Sequence, residues 1–242
     1  MYYFRSHDHM EILLLILYPM ALFRPRLILV ALVPHAGYLV YTAMSFGRIP
    51  LIGLHETLGF FAFSIAAVYG IAAWNRRSDL FSYLTIPLII VFMTGSLISP
   101  SMGGPLPPVL RTVWFELHVL LSFLSYALFA IGAVFGILVL SRDEQSAEIN
   151  QYRSLLLGYV LFSIAMIFGG IWASLAWGSY WLWTPKELWT SIVWLFYGLY
   201  LHARLVRRWA GPKVIWLGII GFAIVLFTYV GVGLLMKSSH EF

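Results

Sequence analysis

Four histidines in this chain are placed where they could bind a metal: His35, His118, His202 and His240. A neutral imidazole nitrogen is a good ligand for iron and other transition metals. The chain contains no cysteine, which excludes thiolate metal sites, disulfides and thiol redox chemistry. Metal chemistry in this sequence would therefore depend on histidine.

Tryptophans form the second unusual group. Six of the ten fall between Trp172 and Trp194, in a stretch with two charged residues, Lys186 and Glu187. Tryptophan is enriched where membrane spans meet water, so the stretch is typical of an interfacial belt. Indole rings also cover large, flat, apolar ligands. The residue types alone leave both interpretations open.

The composition defines the elements that must position these side chains. The chain is 61% hydrophobic and 10% charged, whereas soluble domains carry roughly 25% charged residues. This composition predicts an all-α polytopic membrane protein, with 1–242 as a single domain. In lipid, only helices satisfy the backbone hydrogen bonds of long apolar segments. About eight spans are expected, at roughly 11–23, 27–46, 54–74, 80–98, 113–140, 154–174, 188–206 and 214–236.

The basic residues predict the orientation of these spans. With both termini outside, ten basic residues lie on the cytoplasmic side and five outside, as the positive-inside tendency requires. The inner ten are Arg24, Arg26, Arg76, Arg77, Arg142, Arg153, Arg204, Arg207, Arg208 and Lys213. The net charge of +5 is thereby explained without a nucleic-acid partner.

Depth in the membrane sorts the four histidines into two pairs. At about 1.5 Å per helical residue, His35 and His202 reach similar depth in the cytoplasmic half. His118 and His240 lie on the outer side, with the tryptophans. Two histidines per site suit bis-His haem better than structural zinc, which takes four protein ligands. Taken singly, each histidine is better explained as a core or interfacial residue, and only the pairing by depth together with the nearby tryptophans makes ligand binding an equal explanation. His55 is expected to be structural.

Several segments resemble the CcsA/ResC family of c-type cytochrome assembly proteins, over about residues 27–242. Residues 173–205, ASLAWGSYWLWTPKELWTSIVWLFYGLYLHARL, are similar to the family's tryptophan-rich signature, WGxxWxWDPKE, and its membrane histidine segment. Three other segments match in order and spacing: PHAGYLVYTAMSFGRIPLIGLHETL, LHVLLSFLSYALF and GFAIVLFTYVGVGLLMKSSH.

The resemblance implies a function and a site. Family members move haem to the outer side of the membrane and join it to the CxxCH cysteines of apocytochrome c. His35 and His202 would bind an inner haem, and His118 and His240 an outer one. The outer haem would lie on a surface within about 172–194 that includes Trp177, Trp181, Trp183 and Trp189. No residue is assigned as catalytic.

The resemblance also implies the cofactor, partners and location. The chain would hold non-covalent haem b at up to two sites and act as part of a cytochrome c haem lyase. It would work with a ResB/CcsB-type membrane partner and apocytochrome c. Its location would be the cytoplasmic (inner) membrane, or the thylakoid membrane in a plastid.

Two positions depart from the family pattern. Thr184 replaces the aspartate of the signature, and Gly233 replaces the asparagine of a later GVN pattern. A threonine hydroxyl is a neutral and weaker hydrogen-bond partner than a carboxylate. Two other functions therefore stay open beside haem attachment: a resident dihaem cytochrome for electron transfer, and a haem-binding scaffold subunit of a larger membrane complex.

Overall fold

The computed structural model describes residues 6–74, 78–101, 106–142, 145–206, 209 and 211–235, and all regular secondary structure in these ranges is helical. The α-helices are α1 Ser6–Leu17, α2 Ile28–Phe46, α3 Gly53–Ala73, α4 Asp79–Ile98, α5 Val113–Arg142, α6 Gln145–Trp177, α7 Pro185–Leu205, α8 Pro212–Leu226 and α9 Val232–Leu235. Three 3-10 segments, Tyr18–Leu22, Pro25–Leu27 and Pro108–Leu110, and one π-helical segment, Phe227–Gly231, complete the described elements. The predicted all-α class is confirmed.

Helices occur at all eight predicted positions, and six described helices are long and apolar enough to cross a membrane. They are Pro25–Phe46, Gly53–Ala73, Asp79–Ile98, Val113–Ser141, Ser146–Trp177 and Pro212–Gly231. The first predicted span is the shorter helix His9–Leu22. The seventh, α7, has 21 residues but carries Lys186, Glu187 and Arg204. The polytopic membrane class is confirmed, and the orientation stays a prediction.

The chain divides into two compact units, Met1–Pro107 and Pro108–Phe242. In the first unit, α3 packs mainly against α4. Phe61 of α3 contacts Phe92 of α4 with ring centroids 4.4 Å apart. The Tyr69 hydroxyl forms a buried 2.7 Å hydrogen bond with Ser82 Oγ in the same pair of helices. The single domain expected over 1–242 remains a prediction.

In the second unit, α5 and α6 form a long antiparallel pair, and α8 packs against α5 and α7. Close approach depends on small residues: a Cβ added at Gly132 would lie 2.5 Å from a methyl carbon of Leu155. The Phe129 and Tyr197 rings stack with centroids 3.9 Å apart and planes 10° from parallel. This packing determines where the end of α6, the beginning of α7 and the tryptophans lie.

Candidate functional site

The tryptophan-rich segment, residues 172–194, comprises the end of α6, the loop 178–184 and the first turns of α7. Helix α6 stops at Gly178, which has a φ of 75° and whose N–H donates to Ser174 O at 2.9 Å. Glycine is the usual residue at this left-handed C-terminal position because it has no Cβ. The loop therefore starts from a rigid helix end.

Thr184 and Glu187 hold the other end of the loop. The Thr184 hydroxyl accepts from the Glu187 N–H at 3.4 Å, and Glu187 Oε2 accepts from the Thr184 N–H at 2.9 Å. This reciprocal pair is a capping box, in which two N–H groups at the start of a helix are satisfied. Threonine and aspartate are both preferred capping residues. The missing signature aspartate therefore leaves this cap intact.

The same carboxylate also positions Trp183. Glu187 Oε2 accepts a further hydrogen bond from the Leu182 N–H at 2.9 Å, so it bonds the N–H groups on both sides of Trp183. Trp183 has a φ of 58°, which costs a non-glycine residue roughly 1–2 kcal/mol. Its side chain is 69% exposed. These two hydrogen bonds, which we call the Glu187 clamp, thus hold a large indole outward on a strained turn.

Substitutions at Thr184 test the capping role. Thr184→Ala is expected to lower the free energy of unfolding by about 1 kcal/mol, whereas Thr184→Asp retains an acceptor for the Glu187 N–H. Thermal unfolding of the purified protein in detergent measures the difference. The matched control is Thr190→Ala, whose hydroxyl bonds to Lys186 O within α7 and caps nothing. An aspartate variant as unstable as the alanine variant would contradict the capping assignment.

The predicted surface tryptophans differ in exposure. Trp183 is the most open, while Trp177, Trp181 and Trp189 are half-buried. Trp177 packs edge-on against Trp172 at 4.8 Å, and Trp189 contacts Phe227 at 4.5 Å. Trp172 is 2% exposed and its Nε1–H donates to Val109 O at 2.9 Å. Trp172 thus belongs to the core that supports the others.

His118 lies on α5 at the same end of this unit. Its Nδ1 is 2.8 Å from Ala165 O on α6. A carbonyl oxygen can only accept, so Nδ1 carries the proton and Nε2 keeps its lone pair. One turn earlier on α5, the Phe115 ring contacts Trp172 at 5.1 Å. The fold therefore brings an oriented imidazole and the aromatic segment to one α5–α6 interface.

Gly169 makes room for the His118 ring. A Cβ at Gly169 would lie 2.6 Å from His118 Nδ1 and 2.8 Å from Cε1, so any larger residue must push the ring away. Gly169 follows Ala165 by one helical turn, and both small residues face the histidine. The partner predicted for His118, His240, lies outside the described residues.

The first unit contains His35, and the second contains His202. His35 is 0% exposed, with Nδ1 2.7 Å from the Tyr18 hydroxyl. Its Nε2 is buried and has no hydrogen-bond partner among the described residues. His202 is exposed on α7, and Arg204, two residues later, forms an ion pair with Glu148 of α6. The predicted pairing of His35 with His202 stays a prediction.

His55 and Glu56 have polar partners within the first unit. His55 Nδ1 is 2.9 Å from Ser96 O and therefore donates to it. Glu56 accepts from both terminal nitrogens of Arg48 at 2.7 Å and from the Ile52 N–H at 2.9 Å. This bidentate pair fixes the connection between α2 and α3. Both residues border a small cleft in the first unit.

Sequence reasoning missed four residues that position these side chains: Tyr18, Ala165, Gly169 and the clamp residue Glu187. Two signals were available. Adjacent glycines, Gly169 and Gly170, interrupt an otherwise apolar span, and Glu187 follows Thr184 at the spacing of a capping box. No local pattern connects Tyr18 to His35, because that contact arises from packing.

The described fold is that of a polytopic helical membrane protein that presents aromatic side chains beside an oriented histidine. The model of the family described as cytochrome C assembly protein matches residues 51–240. The chain belongs to this family. The resemblance to CcsA-type proteins is thereby confirmed.

Individual relatives agree with this assignment. The cytochrome c biogenesis protein CcsA of Heterosigma akashiwo (strain NIES-293 / 8280G21-1) is 32% identical, over 85% of this chain and 80% of the relative. The protein of the same name from Microcystis aeruginosa (strain NIES-843 / IAM M-2473) is 31% identical, over 81% of this chain and 80% of the relative.

A solved structure shares the fold. The structure titled Cytochrome c Heme Lyase CcmF aligns with a TM-score of 0.69 at 14% identity. The alignment covers 99% of this chain and 49% of the solved chain, so this protein spans about half of that structure. At this identity the likeness concerns the fold alone.

Proposed function

We propose that this c-type cytochrome biogenesis protein binds haem, moves it across the membrane and presents it for covalent attachment to the CxxCH motif of apocytochrome c. His118 and His240 would be the axial ligands of the presented haem. Trp177, Trp181, Trp183 and Trp189 would cover its faces. Haem is here the cargo of the reaction, held as non-covalent haem b.

The observation that carries the proposal is the orientation of His118. Its Nδ1–H is bound to Ala165 O, which fixes the tautomer in which Nε2 keeps a lone pair that could bind iron. The exposed Trp183 belongs to the same end of the unit. An oriented imidazole beside exposed indoles suits a flat, apolar metal complex better than a bare metal ion.

Histidine ligation also suits a cargo that must leave. In the attachment step, each cysteine thiol of the apocytochrome adds across one haem vinyl group. A carbon–sulfur bond forms, and the thiol hydrogen goes to the other vinyl carbon. The bonds from histidine to iron can then exchange without breaking a covalent link to this chain. Because this chain has no cysteine, it cannot trap the haem in a thioether.

His35 and His202 are proposed as ligands of haem before it reaches the tryptophan-rich surface. The fit of His35 rests on its buried Nε2, which lacks a hydrogen-bond partner among the described residues. Such a group costs about 1–3 kcal/mol unless something binds it. An iron ion at that nitrogen would remove the cost.

The proposed partners and membrane follow from the family resemblance. A ResB/CcsB-type membrane protein would present the apocytochrome, and the cytochrome would supply the two thiols. The membrane would be the bacterial cytoplasmic membrane or, in a plastid, the thylakoid membrane.

Co-expression with a reporter tests the function. A host without its own cytochrome c maturation system would receive the chain, a ResB/CcsB-type partner and an exported CxxCH reporter. We expect haem that stays on the reporter in a denaturing gel, and none on a reporter with both cysteines changed to serine. A reporter that stays free of haem, while purified chain retains two redox-active haems, would overturn the proposal and identify a resident cytochrome. Reporter maturation without the chain would also overturn it.

A further inference from the structure

We propose that Tyr18 is a positioning residue for His35, selecting the imidazole tautomer in which Nε2 can bind haem iron. The inference rests on the proposed role of His35 as a haem ligand. It assigns a task to the segment before residue 27, which the family resemblance does not cover.

Tyr18 lies on the buried face of the short first apolar helix. The apolar helix His9–Leu22 is shorter than the other apolar helices, and a span needs about 20 residues. Its α-helical part ends at Leu17, and a 3-10 segment begins at Tyr18, next to Pro19. Leu14, Tyr18 and Ala21 are all 0% exposed. These residues follow helical spacing, so one face of the segment is buried in the first unit.

The hydrogen bond between the two side chains has two possible directions. The Tyr18 hydroxyl and His35 Nδ1 are 2.7 Å apart, and both groups are 0% exposed. If the phenol donates, Nε2 carries the proton and cannot bind iron. If Nδ1–H donates to the phenol oxygen, Nε2 offers its lone pair. Haem binding at Nε2 therefore requires the Tyr18 oxygen to accept the hydrogen bond from His35 Nδ1–H.

Aromatic rings pack around the His35 imidazole. Phe63 contacts the His35 ring edge-on at 5.3 Å, and Tyr38 lies at 6.4 Å. A flip of the imidazole between these rings would replace Nδ1 by Cδ2 and so break its bond to Tyr18. The described residues leave Nε2 without a partner, so the free nitrogen is the one available to a ligand. The phenol oxygen thus acts on iron through the imidazole, as outer partners of metal-bound histidines do.

Two effects of removing the phenol oxygen are expected. Loss of such a partner typically lowers metal affinity about 10- to 100-fold. An accepting oxygen at Nδ1 also makes the imidazole a stronger electron donor and stabilises ferric iron. Tyr18→Phe should therefore weaken haem retention and raise the midpoint potential of the haem that remains.

The experiment uses the purified full-length chain in a His118→Ala background, so that haem bound at His35 dominates the signal. Tyr18→Phe is compared with Tyr69→Phe, which loses an equally buried 2.7 Å hydroxyl bond, to Ser82, in the same unit. Haem content is measured as the pyridine haemochrome, and its loss rate by transfer to apomyoglobin. The midpoint potential comes from a spectroelectrochemical titration of the folded, monodisperse fraction.

We expect faster haem loss and a higher potential for Tyr18→Phe, with Tyr69→Phe like its parent. Equal behaviour of the two phenylalanine variants would overturn the role of Tyr18. His35→Ala in the same background separates the two levels of the hypothesis. If that variant retains all its haem, the proposed ligand itself is wrong. If it loses haem while Tyr18→Phe does not, only the positioning role fails.

Discussion

A double variant with His118→Ala and His240→Ala is expected to abolish covalent haem on a CxxCH reporter. Without these imidazoles, no axial ligand holds iron at the tryptophan-rich segment, so the vinyl groups are not presented to the thiols. The measurement is haem staining of the reporter after denaturing electrophoresis, normalised to the amount of both proteins. The bond from Nδ1–H to Ala165 O makes His118 an oriented ligand. The single His118→Ala variant should therefore lose most of the signal by itself.

Two comparisons make this result specific. His9→Ala removes an exposed histidine and should leave maturation unchanged. Free imidazole supplied to the His118→Ala variant should restore part of the covalent haem, since the space vacated by the ring remains. Undiminished covalent haem in the double variant would show that the outer ligands have been wrongly assigned.

Adding one methyl group beside His118 is expected to have the second largest effect. In Gly169→Ala the new Cβ would lie 2.6 Å from His118 Nδ1, well inside van der Waals contact. The ring must move away from Ala165 O, and the orientation of Nε2 is lost. We expect haem retention and reporter maturation to fall about 10-fold or more, as for the loss of other partners of metal-bound histidines.

Gly170→Ala is the matched control for this substitution. A Cβ there would meet Tyr180 O at 3.6 Å, an ordinary contact. Both variants replace a glycine inside α6 by alanine, so the gain in helix propensity of about 1 kcal/mol is common to both. Their difference therefore isolates the contact with His118. Equal haem content in the two variants would show that the Ala165 hydrogen bond does not govern haem binding.

The membrane class and the helix positions could be predicted because they depend on local composition. A long apolar run must be helical in lipid wherever it occurs in the chain. All eight predicted positions are helical in the described structure, and six helices have the expected length and apolar character. The predicted span at 11–23 coincides with the short apolar helix His9–Leu22, in which Pro19 adjoins a change from α to 3-10 helix.

The signature segment shows a mixed outcome. Sequence reasoning selected its tryptophans but treated them as one surface. In the structure Trp183 is 69% exposed, whereas Trp177, Trp181 and Trp189 are half-buried. That difference depends on the Glu187 clamp and on the φ of Trp183. The departure at Thr184 also takes on a structural meaning, because its hydroxyl caps α7.

The amino-acid sequence by itself determined that this is a helical membrane protein with histidines and clustered tryptophans, because hydropathy and residue type are local properties. Tertiary structure decided how those histidines are held. His118 bonds to a carbonyl 47 residues away on another helix, and His35 to a phenol 17 residues earlier. Such bonds depend on the side chains that helix packing brings within 3 Å, and no periodicity in the sequence encodes that distance.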